Sequence, residues 1–149
     1  MPAPLPIDPL RSLRGIVPSM NTPFLDDGTL DLDSVGRTVD AVIDAGVAGM
    51  LILAVAGETG SLSADEKLQL AEATLQRVAG RVPVIVGCSA PHQDARLALA
   101  AMARALGAPA MLCQAPDGLR GAALVAQMRA LAAVGPPVVV ETSVGDPSL

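Results

Sequence analysis

Three groups of side chains carry enough reactive functionality to ask what chemistry this chain could do. Gly57-Glu58-Thr59-Gly60-Ser61 sets a carboxylate and hydroxyls in a glycine-bearing loop just ahead of a helix start. Free amides at such a place attract anions, but the Gly-Lys-Ser/Thr that a nucleotide phosphate loop requires is missing. Glu58 has the chemistry of a general acid or base, yet one carboxylate without a paired group does not define such a site. The second group is Cys88, Ser89, His92 and Asp94, with Cys113 further on. One histidine and two separated cysteines do not supply the three or four converging ligands of a zinc site, so no metal is expected, and nothing in the chain calls for a cofactor. Ser89, His92 and Asp94 have the types of a nucleophilic triad but lie too close in sequence to converge in its geometry. His92 reads as a solvated loop residue. The third is Lys67, the one lysine of the chain. A lysine that attacks a carbonyl needs a desolvated pocket to lower its pKa. The capping box Ser63-Ala64-Asp65-Glu66 instead puts Lys67 in the first turns of a surface helix.

The elements that must position these groups alternate regularly. Gly15 to Pro23 reads as a first strand, followed by an Asp26-Asp27-Gly28 turn. From Asp33, Val35, Val39, Val42 and Ile43 form a helical stripe stopped by Gly46. Met50 to Val55 is apolar at every position, as expected of a strand buried on both faces of a parallel sheet. The helix after the capping box has Leu68, Ala71, Leu75 and Val78 as its predicted inward stripe, with Gly80 closing it. Val82 to Gly87 is a strand, Asp94 to Leu106 a helix capped by Asp94 and stopped by Gly107, and Ala110 to Cys113 a strand. Gly121 to Ala133 is a helix with Leu124, Met128 and Leu131 inward, and Val138 to Val140 a last strand.

Such alternation with short connections implies parallel strands, in either an open doubly wound sheet or part of an eight-stranded barrel. Both place the ligand site at the C-terminal ends of the strands. The residues to inspect are therefore Asn21-Thr22-Pro23, Val55 to Ser61, Gly87-Cys88-Ser89, Cys113 to Asp117, and Glu141-Thr142-Ser143.

Composition sets outer limits. At 149 residues, 51% hydrophobic and 17% charged, the chain is a packed protein with one core rather than a disordered arm. A net charge of -5 spread along the chain argues against a nucleic-acid partner. Phe24 is the single aromatic residue, so tyrosine chemistry is excluded. No apolar run is long enough to span a membrane, and the proline-bearing segment 1–14 reads as a leader without signal-peptide character. A cytoplasmic setting with reduced, buried Cys88 and Cys113 is expected.

The strand ends are also where the sequence begins to look familiar. Gly15-Ile16-Val17-Pro18-Ser19-Met20-Asn21-Thr22-Pro23-Phe24, with Asp27-Gly28 and Leu30-Asp31 after it, resembles the opening of the dihydrodipicolinate synthase / N-acetylneuraminate lyase family. Ala45 to Gly49, then Leu53-Ala54-Val55-Ala56-Gly57-Glu58-Thr59-Gly60-Ser61-Leu62-Ser63, Glu66 and Arg81 to Gly87 match that family's order and spacing. The resemblance covers Gly15 to Glu141, is weaker after Ala90, and favours the barrel. It implies a partial (β/α)8 TIM barrel of about four βα units plus a fifth strand over residues 15–149. It also implies class I aldolase-type lyase chemistry on a small 2-oxo acid, with a Schiff base to a lysine on the sixth strand.

By this resemblance the chain stops short of that lysine and is expected to be inactive alone. The substrate-binding segment would be Val55, Ala56, Gly57 and Glu58, with no catalytic residue assigned, and the resemblance implies a structural role for Glu58, tying loop to helix. Two hydroxyl residues usually precede the Gly-Glu and help hold the oxo-acid carboxylate; Val55 and Ala56 stand there and offer no side-chain donor. The tyrosine expected near Pro116 or Asp117 is absent. Ala115-Pro116-Asp117-Gly118-Leu119-Arg120 is similar to a divergent branch of the superfamily. Open strand edges would call for a second copy or a complementary barrel half, so the other reading is a non-catalytic half-barrel assembly module.

Overall fold

The computed structural model describes residues 13–142. Most of the leader, and Ser143 with the residues after it, lie outside this range. The element order is α1 (Leu32–Asp44), β1 (Met50–Ile52), a single 3-10 turn (Val55–Gly57), α2 (Ala64–Val78), β2 (Val84–Gly87), α3 (Gln93–Ala105), β3 (Ala110–Gln114), α4 (Gly121–Val134) and β4 (Val138–Glu141). The strands form one parallel sheet in the order β1-β2-β3-β4. The strands neighbour one another in chain order and the sheet does not close, so the arrangement is a partial barrel rather than a doubly wound sheet.

The predicted first strand is reduced to one parallel bridge, Ser19 to Leu51. Met20 N donates to Leu51 O, and Leu51 N donates to Pro18 O. Pro18 and Pro23 have no N–H to give, which keeps the pairing from extending into a ladder. β1 is also shorter than its apolar run. Leu53 sits at φ 55°, in the left-handed region, and turns the chain out of the sheet after Ile52.

Helix starts follow side-chain chemistry. Asp31 caps α1, its carboxylate accepting from Ser34 N at 2.9 Å. The capping box at α2 is present: Ser63 Oγ accepts from Glu66 N at 3.2 Å and Glu66 Oε2 accepts from Ser63 N at 2.8 Å. α3 departs from expectation, because His92 and not Asp94 stands at the cap and makes no side-chain capping bond. Asp94 falls inside the first turn, where it opposes the positive helix end.

Alternation along the strands divides the core. Met50, Ile52, Val84 and Val86 face α1 and α2 and are almost fully buried with Val35, Val39, Leu70 and Ala71. Cys88, Met111 and Cys113 face α3 and α4, packed with Ala100, Leu124, Met128 and Leu131. α4 thus buries the three residues its spacing predicts. In α2 the buried face is Leu70, Ala71, Thr74 and Val78, so Leu68 rotates to its margin and is 38% exposed. On the opposite face of the sheet Leu51 and Leu112 are only half-buried and Val139 is exposed.

Candidate functional site at the C-terminal strand ends

Two contacts shape the loop after β1. Thr22 Oγ1 donates to Gly57 O at 2.5 Å within the core, holding the 3-10 turn against the segment that bridges β1. Gly57 itself is packed so closely that a Cβ there would lie 2.8 Å from Met20 O. Across the sheet, a Cβ on Gly87 would lie 2.2 Å from Leu53 O. Glycine at both positions lets the backbone of the first loop settle onto the end of β2.

The result is a cleft of about 380 Å³ above β1, β2 and β3. Val55, Thr59 and Gly60 line it from the first loop, Ser89 to Pro91 from the second, Gln114 to Asp117 from the third, and Arg96 from α3. The strand-end segments expected to converge after β1, β2 and β3 do so. Of the four residues expected to bind substrate, Val55 lines the cleft and is 70% exposed. Ala56 and Glu58 are exposed outside it, and Gly57 is buried beneath. The Glu58 carboxylate has no hydrogen-bond partner among the described residues, contrary to the expected loop-to-helix tie; that tie is made by Ser63 and Glu66. The backbone at Glu58 is left-handed, φ 55°.

The cleft has hydroxyls from other places than the expected pair. Ser89 Oγ accepts from Gln114 N at 2.9 Å, which fixes the oxygen and leaves the hydroxyl hydrogen free to donate. Thr59 adds a second hydroxyl to the lining. No hydrogen bond joins Ser89, His92 and Asp94 among the described residues, and His92 is exposed. Lys67 is outside the lining. Among the described residues no three His, Cys, Asp or Glu side chains are grouped to hold a metal, and no helix is long and apolar enough to cross a membrane.

Beneath the cleft floor Cys88 and Cys113 lie side by side, one step beyond the Gly87–Leu112 pairing of β2 and β3, both free and fully buried. Cys88 Sγ donates to Leu112 O at 3.2 Å. The neighbouring Cys88 thiol pulls the Cys113 thiol down to about 7, against the effect of burial and with help from the Arg96 charge. The same contact and burial push Cys88 up.

Arg96 is the residue that reading the sequence missed. It is 8% exposed, and its Nη1 donates to Gln127 Oε1 at 3.2 Å, joining α3 to α4. Its Nε is sealed from solvent without a partner. The available signal was its spacing: Arg96, Ala100 and Ala103 share the buried stripe of α3, so a cation occupies a position where the period calls for an apolar side chain.

Parallel strands paired in sequence order without reversal, alternating with helices, define the chain as part of a (β/α)8 barrel rather than a doubly wound sheet. Residues 12–117 match the Dihydrodipicolinate synthetase family, and the chain belongs to it. It is 43% identical over 103 residues to an L-2-keto-3-deoxyarabonate dehydratase of Azospirillum brasilense, covering 69% of this chain and 33% of that protein. It is 38% identical to a 4-hydroxy-tetrahydrodipicolinate synthase of Xanthomonas campestris, covering 81% and 41%. The crystal structure of YagE, an Escherichia coli K12 prophage protein of the same family solved with pyruvate, superposes with a TM-score of 0.79 at 29% identity, covering 85% of this chain and 43% of YagE. The chain spans about a third of the length of the curated relatives it matches.

Proposed function

We propose that these residues are the front portion of a divergent lyase of the class I aldolase type, and that the cleft above β1, β2 and β3 is their share of a site for a small 2-oxo acid. The observation that carries the reading is the position of that cleft. It lies where barrels of this kind bind ligands, and it is built from the loops that align with the family. The dehydratase relative acts on a 2-keto acid by its name, and YagE was solved with pyruvate, a small 2-oxo acid.

A Schiff base needs an uncharged amine facing the carbonyl in a desolvated pocket. The only amine side chain of these 149 residues is Lys67, in the first turns of α2 and outside the cleft lining. The 149-residue chain alone therefore binds but does not react. Pyruvate and borohydride added to it, followed by intact-mass measurement, are expected to leave the mass unchanged. A gain of one reduced pyruvate adduct would overturn this part of the reading. The free, buried cysteines accord with a reducing, cytoplasmic setting.

A second reading rests on β4. It is one edge of the sheet among the described residues, and Val139 and Val140 on it are 36% and 38% exposed. Edges of this kind pair with another chain, so a half-barrel that assembles with a second copy or a complementary half is the alternative. Light scattering after size exclusion tests it: a dimer supports assembly, and a monodisperse monomer over a wide concentration range removes it.

A further inference from the structure

The charge of Arg96 has no counterpart. A guanidinium taken out of water costs heavily unless an anion or a full set of acceptors replaces the lost hydration. Arg96 has one neutral acceptor, Gln127 Oε1, and no ion pair among the described residues. The nearby Gln93 Oε1 is itself sealed and unpartnered, but does not bond to Nε. Among the described residues the ion pairs lie elsewhere: Arg37 with Asp31, and Arg77 and Arg81 sharing Asp40. Arg96 nevertheless lines the same cleft as Ser89, whose hydroxyl hydrogen is uncommitted, and as Gln114 and Ala115 from the end of β3.

We propose that Arg96 and Ser89 form a carboxylate seat in the cleft, taking the acid group of the substrate in place of the hydroxyl pair that Val55 and Ala56 replace. The proposal rests on the 2-oxo acid reading above and names the group that would hold the acid end. A guanidinium offers donors in a planar fork matched to a carboxylate. The Ser89 hydroxyl supplies one more donor from the neighbouring strand end, and bound acid would neutralise the buried cation. The carbonyl of a 2-oxo acid would then face the open side of the sheet. Specificity follows: small carboxylates enter, and neutral aldehydes of the same size do not.

The test is an NMR titration of the nitrogen-15-labelled 149-residue chain with pyruvate and, separately, with acetate, which lacks the oxo group. The Nε–H signal of Arg96, assigned by its loss in Arg96→Gln, and the amides of Ser89, Gln114 and Ala115 are followed. Pyruvate is expected to move all four saturably, and Arg96→Gln to weaken binding roughly tenfold or more. Arg96→Lys should recover only part, because a point charge lacks the fork. If pyruvate moves the cleft amides as strongly in a folded Arg96→Gln as in the parent, the seat is overturned while the 2-oxo acid reading stands. Equal binding of acetate and pyruvate keeps the seat and sinks the oxo-acid reading. Should Arg96→Gln fail to fold, the parent decides: an Arg96 Nε–H signal that neither acid moves overturns the seat.

Discussion

Thr22 Oγ1 donates to the Gly57 carbonyl at 2.5 Å, with Thr22 only 7% exposed. This one bond links the extended segment before α1 to the turn that follows β1, thirty-five residues on in sequence. It stands in for the missing ladder, because the segment makes only one bridge to the sheet. Thr22→Val keeps the side-chain shape and leaves the Gly57 oxygen without its donor. The expected cost is about 1–2 kcal/mol, the desolvation of a buried acceptor left unpaired. Urea unfolding should show a lower midpoint at unchanged slope; an unchanged midpoint would mean the turn is held by its backbone alone.

Gly87 and Leu53 form the other close approach. An added Cβ would stand 2.2 Å from Leu53 O and 2.7 Å from its carbonyl carbon, and both are backbone atoms that no rotamer can move aside. Gly87→Ala is therefore expected to destabilise by about 3 kcal/mol or more. By contrast Gly60→Ala, with nothing within 4 Å of its added Cβ, should leave stability within about 0.5 kcal/mol. Parallel unfolding curves check the pair, and similar costs for the two would contradict the packing described.

These two contacts show what a reader of sequence alone can and cannot see. The stripe of α4 is legible because Leu124, Met128 and Leu131 repeat at the helical period with nothing competing. In α2, Leu68 and Leu70 compete for the inward face, and tertiary packing chose Leu70. The end of β1 was hidden because Leu53 is apolar like its neighbours, and its left-handed backbone is accommodated by Gly87, the only residue type that leaves room against the Leu53 carbonyl. The loops of the cleft were legible from the rule that ligands sit at strand C-termini. The convergence of Arg96 with them was not, since an arginine in a helix ordinarily lies in solvent.

The capping box gives a pH dependence with a definite sign. Glu66 is held below its ordinary value of 4.5, first by the backbone amide of Ser63 and then by its hydroxyl. A carboxyl with a lowered pKa in the folded state adds stability above its unfolded pKa, and loses it as pH falls through the folded value. Glu66→Gln should thus be less stable than the parent near neutrality, with the gap closing as pH drops below about 4.5. Unfolding midpoints at a series of pH values measure this. A gap that stays constant into acid would assign the effect to lost helix propensity or geometry instead.

The thiol pair can be followed by ultraviolet absorbance, because with no tyrosine in the chain no phenolate absorbs alongside the thiolate. Cys113 is pulled down to about 7, with the neighbouring Cys88 thiol as the largest cause and the Arg96 charge as a smaller one. Burial works the other way. Removing that thiol by Cys88→Ala leaves burial against Arg96 alone, so the Cys113 thiol should titrate higher than in the parent. Arg96→Gln should raise it too, by less. An ultraviolet pH titration of parent and both variants orders the three effects. If Cys88→Ala leaves the titration where it was, Arg96 rather than the neighbouring thiol sets the charge state at the ends of β2 and β3. The buried guanidinium would then dominate the field under the cleft, and a bound carboxylate that neutralised it would move Cys113 upward in the parent as well.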